Sequence, residues 1–98
     1  MIKTCIDKLK LFPYFEIDPN VTFSDEIINN IYKFVTEVYK SCSVKIKLSN
    51  IENKPTLIID NEFKYENVLT TIKKKITDMI PQNSMFDVQF KFVLVQDK

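Results

Sequence analysis

Apolar and polar positions follow two different periods along this chain. From Ser24 to Cys42, residues Ile27, Ile28, Ile31, Phe34, Val35, Val38 and Cys42 fall on one arc when successive residues are turned by about 100°, while Glu26, Asn29, Asn30, Lys33, Thr36, Glu37, Lys40 and Ser41 take the other side. This spacing predicts an amphipathic helix. Ser24 stands where an N-cap is needed, and Asp25 and Glu26 sit at the positive end of the helix dipole. A second helix is expected from Lys64 or Tyr65 to Ile80, with Tyr65, Val68, Leu69, Ile72, Ile76, Met79 and Ile80 on its apolar face. Pro81 ends it, because the residue before a proline is pushed out of the α region.

Elsewhere the period is two. Val44, Ile46 and Leu48 alternate with Ser43, Lys45, Lys47 and Ser49, the pattern of a half-buried strand. The stretch 49–55 reads as a loop, in which asparagines take the positions that glycines usually fill. Thr56 to Asp60 is a short apolar run and reads as an interior strand. Val88, Phe90, Phe92 and Leu94 alternate with Asp87, Gln89, Lys91 and Val93 in a last strand spanning about Met85 to Val95. Residues 2–17 admit two readings. Lys8 to Phe12 alternates like a strand that Pro13 ends or bulges, with Tyr14 to Ile17 as its continuation; a short helix from Ile2 to Leu11 is the alternative.

With the strand reading, the order is strand, helix, strand, strand, helix, strand. This predicts an α+β domain of the split βαβ class, ferredoxin-like, with a four-stranded antiparallel sheet and both helices on one face. The opposite sheet face is then open. In the same registers it collects Lys8, Lys10, Phe12, Lys45, Lys47, Thr56, Ile58, Gln89, Lys91 and Val93. Lys8, Lys10, Phe12, Lys45, Lys47, Ile58, Lys91 and Val93 form the candidate interaction face. A solvated face, whose lysine stems cover apolar surface, is the plain alternative.

Composition narrows the chemistry. The chain has 98 residues, enough for one domain, and 45% apolar with 12% aromatic residues predicts a packed core. It contains no glycine, histidine, arginine or tryptophan. Without glycine there is no phosphate-binding P-loop, dinucleotide fingerprint or EF-hand loop. Without histidine there is no imidazole base and no Cys/His zinc site. All 14 cations are lysines, and the net charge is +1, so no global field draws nucleic acid or membrane. Base-edge reading is usually arginine work, which weakens a sequence-specific DNA role. RNA-recognition modules stack bases on sheet aromatics, and here Phe12 is the only stacking candidate.

Catalysis finds little support. Asp25 with Glu26 is explained by capping, and Asp60 with Glu62 sits where a strand is expected to turn into a helix. Cys5 and Cys42 have no histidine to activate them and read as reduced, buried thiols of a cytoplasmic protein. The run Lys73 to Lys75 points in three directions around its helix and reads as solvated surface. Tyr32 and Tyr39 lie at one edge of the first apolar arc, where tyrosines bury the ring and keep the hydroxyl wet. No signal-peptide h-region follows Met1, and no apolar run reaches the length of a membrane span.

The order of features from Leu9 to Asp97 resembles the C-terminal domain of the SseB-like (enhanced serine sensitivity) family. The matching elements are Pro13 after the first strand, the long helix ending near Cys42, the strand Val44 to Leu48, and Lys54-Pro55-Thr56-Leu57-Ile58-Ile59. Phe63 and Val68 at the second helix, Ile80-Pro81 at its end, and Phe86-Asp87-Val88 continue the match. The resemblance implies a binding domain, immunity-like or accessory, and brings no catalytic residues with it. The expectation is therefore a non-enzymatic protein-interaction domain without cofactor or metal, acting on a protein partner or as a homodimer. A weak single-stranded nucleic-acid binder using the lysine face is the alternative.

Overall fold

The computed structural model describes residues 7–19, 21–82 and 84–95. Its elements are strand β1 (Phe15–Ile17), helix α1 (Asp25–Ser41), strands β2 (Lys45–Ile51) and β3 (Lys54–Phe63), helix α2 (Glu66–Met79) and strand β4 (Asp87–Leu94). The two amphipathic helices and the three later strands lie where the periodicities place them. The N-terminal segment resolves in favour of the helical alternative. Residues 7–10 are helical, the chain then turns, and the first strand begins at Phe15, so Lys8 to Phe12 is not a strand. Residues 2–6 of that reading, Cys5 among them, lie outside the described residues.

The sheet departs from the expected one. Its strand order is β1-β2-β3-β4, with β1 parallel to β2, β2 antiparallel to β3, and β3 parallel to β4. The sheet is mixed, which corrects the antiparallel expectation, and no strand is inserted between the two members of either parallel pair. Alternation in a strand specifies which residues face the helices. It does not specify the neighbouring strand, and strand order is where the expectation fails. Both helices pack on the same face, where Ile76 of α2 joins the α1 residues in one core. Because both crossovers step the same way across the sheet while their strands run in opposite directions, the two connections have opposite hands. Crossovers of this kind are right-handed in about 98% of cases.

Two inner rows of side chains fix the register. Phe15, Ile46, Ile59 and Phe90 lie side by side across all four strands, and so do Ile17, Leu48, Leu57 and Val88. Over them lie Ile28, Ile31, Phe34, Val35 and Val38 of α1, all buried. The loop expected over 49–55 is shorter than that. β2 and β3 continue to a two-residue turn at Glu52 and Asn53, both left-handed with φ of 52° and 64°. β3 also runs beyond Asp60 to Phe63, so Asp60 and Glu62 are strand residues and not the turn into α2.

Candidate functional site

The outer sheet face carries its own rows. Lys45, Asp60 and Lys91 are neighbours across β2, β3 and β4, and Glu16, Lys47, Ile58 and Gln89 are neighbours across all four strands. Period-two geometry sends these side chains away from the helices. They border a shallow hollow of about 430 Å³ lined by Tyr14, Glu16, Lys45, Ile46, Lys47, Ile58, Asp60 and Lys91. Three lysines surround the hollow, with two carboxylates between them.

Of the eight residues of the candidate face, Lys45, Lys47, Ile58 and Lys91 meet in this hollow. Val93 is on the same face but stands opposite Glu62, toward the end of β4, and is 52% exposed. The other three belong elsewhere, because the segment that carries them is helix and turn. Lys8 places its ammonium 5.7 Å from the centre of the Tyr32 ring, over the helix layer. Phe12 packs on Tyr32 and Tyr39, with ring centres 5.7 and 5.1 Å away, so it is not offered to a base. Lys10 lines a separate hollow with Ile17, Asp18 and Leu48.

The aromatic residue that the sequence reading missed is Tyr14. It is 72% exposed and sits where the outer hollow meets a second cavity. Its φ of 61° is in the left-handed region, which is uncommon for a bulky residue. The twist directs the Tyr14 carbonyl to β2, where it accepts the Ile46 N–H at 3.3 Å. The alternation Tyr14-Phe15-Glu16-Ile17 contains the signal, since it puts Tyr14 on the same side as Glu16.

The second cavity, about 310 Å³, is bounded by Pro13, Tyr14, Tyr39, Cys42, Ser43, Val44, Lys45 and Asn61. The Tyr39 hydroxyl is buried here without a hydrogen-bond partner, which corrects the expectation of a wet hydroxyl. Burial pushes its pKa up to about 12, with the Ile46 N–H pulling the other way. That N–H is spent on the Tyr14 carbonyl, so its influence on the phenol is electrostatic and not a hydrogen bond. The Cys42 thiol is free and half-buried. Burial raises its pKa and the Lys75 ammonium partly opposes this. A thiol held in its protonated form is a weak nucleophile.

Among the described residues, no helix is long and apolar enough to cross a membrane. Comparison of the chain with protein-family models, with curated proteins and with solved structures finds no match.

Proposed function

We propose that this chain is a protein-interaction domain that receives its partner on the outer sheet face. One observation carries the reading: the lysines there do not form a single-sign stripe. Asp60 stands between Lys45 and Lys91, and Glu16 stands beside Lys47, around an apolar centre of Tyr14 and Ile58. Alternating charge around a small apolar centre complements a polypeptide carrying both signs. A phosphate backbone would meet the two carboxylates as repulsion. The resemblance to the SseB-like C-terminal domain points the same way, toward a cytoplasmic immunity-like or accessory protein without catalytic activity.

A second reading has its own support, because an exposed Tyr14 ring beside three lysines has the makings of a single-strand stacking site. Two measurements separate the readings. In the first, the wild type, Ile58→Glu and Tyr14→Ala are used as bait in extract of the native host. The expected result is a stoichiometric protein partner that the wild type retains and both variants lose; equal recovery by all three would remove the reading. In the second, oligonucleotides of mixed sequence are titrated at low and moderate salt. Affinity weaker than micromolar is expected, within the non-specific range of about 10⁻⁴–10⁻⁶ M. Submicromolar, steeply salt-dependent binding lost in Lys45→Glu/Lys47→Glu would promote the nucleic-acid function instead.

A further inference from the structure

The two edges of the sheet are finished differently. β1 is three residues long, and Pro13 and Pro19 flank it, so it offers little backbone for a new strand. β4 is eight residues long, and the chain has no proline after Pro81. Among the described residues, β4 pairs on one side only, with β3. The Val95 N–H donates to the Phe63 carbonyl at 2.7 Å. Backbone groups alternate sides along a strand, so the odd-numbered residues of β4 turn to β3. The N–H and C=O groups of Val88, Phe90, Phe92 and Leu94 therefore point outward. Edges of this kind are usually shortened, kinked or protected by an inward-pointing charge. Here every inward side chain of β4 is apolar, and Phe90 and Phe92 are only partly covered. The helix beside them gives thin cover: α2 buries Ile76 alone, and Tyr65 and Val68 are 66% and 43% exposed.

We infer that β4 pairs antiparallel with β4 of a second copy of this chain, about a two-fold axis at Gln89, joining two sheets into one of eight strands. The strand's charges select this register. β4 contains two charged residues, Asp87 and Lys91, placed symmetrically about Gln89. Among the described residues neither is held in an ion pair. Centred on Gln89, each Asp87 faces Lys91 of the other copy, twice over. Centring on Lys91 would instead oppose two lysines, and centring on Asp87 two aspartates. The same register brings Val88 opposite Phe90 of the second copy, and Phe92 opposite its Phe86, on the helix side. The outward backbone groups of Val88 and Phe90 then face each other as a hydrogen-bonded pair, which leaves Gln89 and the Asp87–Lys91 pairs at the closer, non-hydrogen-bonded positions. This association goes beyond the partner reading and uses the β4 edge of the sheet, which shares only Lys91 with the outer hollow.

The test uses the full chain, alone. Sedimentation across a concentration series should show a monomer–dimer equilibrium. Lys91→Asp and Asp87→Lys, each creating two like-charge pairs, should each weaken it about tenfold or more, and Asp87→Lys/Lys91→Asp together should restore it to within about threefold. In chain carrying Cys5→Ser and Cys42→Ser, Gln89→Cys should cross-link readily under mild oxidation, since facing residues at the axis have the Cα separation a disulfide needs. Asp87→Cys in that background should not. A monomer at every concentration, a dimer indifferent to the charge reversals, or cross-linking of Asp87→Cys as fast as Gln89→Cys would overturn the inference. Ile58→Glu should leave the dimer unchanged, so a failure here is distinguishable from a failure of the partner reading.

Discussion

Each half of the sheet is a pair of parallel strands bridged by a helix, and the two bridges are built differently. α1 has a side-chain cap, with Ser24 Oγ accepting the Ile27 N–H at 3.4 Å, and buries five apolar residues. α2 has Tyr65 in its N-cap position, with no side-chain cap bond, and buries only Ile76. Both helices show a clear apolar stripe in sequence, yet one stripe is covered and the other largely is not. The difference lies in what faces them. The buried face of α1 shares one core with inner rows to which all four strands contribute. Past Asp60, however, only β3 and β4 continue, and Phe63 and Phe92 pack edge to face in that two-strand extension, with Phe90 of the adjoining row edge-on to Phe92. The comparison teaches that an apolar helical stripe reports a surface to be covered, and that the covering need not come from the same chain.

The largest expected effect tests the buried half. Ile31 is fully buried, and Ile31→Ala should cost about 2–5 kcal/mol in urea unfolding. Ile72 is half-buried on α2, and Ile72→Ala should cost less, about 1–2 kcal/mol, as expected for partial burial. Equal losses at the two sites would break the comparison. A loss at Ile72 that grows with protein concentration would sharpen it, by showing that a second chain supplies the cover.

The caps give a smaller contrast. Ser24→Ala should cost about 0.5–1 kcal/mol, the low end of the cap range because the bond is long. Tyr65→Asp should stabilise the monomer by a similar amount, by giving α2 the cap it lacks. Destabilisation by Tyr65→Asp in thermal unfolding would mean that the exposed ring contributes more than a cap would.

Tyr39 gives an effect that vanishes at neutral pH. Its pKa rises from 10.0 to about 12 on folding. Between those values the folded chain keeps a proton that the unfolded chain has released, so stability is lost as pH rises from 10 toward 12. Tyr39→Phe should be at least as stable as the wild type near pH 7, since it removes a buried hydroxyl that has no partner. It should unfold at higher urea than the wild type near pH 11. Parallel alkaline profiles for the two proteins would show that the hydroxyl is solvated after all.

Helix positions were legible because a period of 3.6 with a capping serine has few other solutions; α1 starts and ends within one residue of its predicted bounds. β4 was legible from the unbroken alternation of six residues, Asp87 to Phe92. Residues 8–12 misled because Lys-Leu-Lys-Leu-Phe satisfies a period of two over too few positions to exclude a helical turn. Lys8, Lys10 and Phe12 therefore lie off the face that a strand would give them. Lys45, Lys47, Ile58 and Lys91 were placed together correctly because parity in a strand is independent of which strand is next to it. The mixed sheet was not legible, since no local pattern encodes whether a helix returns the chain beside its first strand or past another one. The carboxylates between the lysines are less legible, because in sequence Asp60 falls at the end of a short apolar run and Glu16 lies between two proline turns.

The turn at Glu52 and Asn53 has a consequence for the rate at which this protein forms. The hairpin of β2 and β3 is the only pairing in the described sheet that joins strands adjacent along the chain without a helix between them. Local contacts close first because little chain must be ordered to make them. Yet this closure requires two successive residues in the left-handed region, in a chain without a single glycine; Asn53 tolerates that region, but Glu52 costs about 1–2 kcal/mol in the unfolded ensemble. The step that ought to be quickest therefore waits on an improbable backbone. Glu52→Gly should speed refolding in stopped-flow measurements while changing the unfolding rate little, if the turn is already formed at the barrier. A change confined to the unfolding rate would place the turn late.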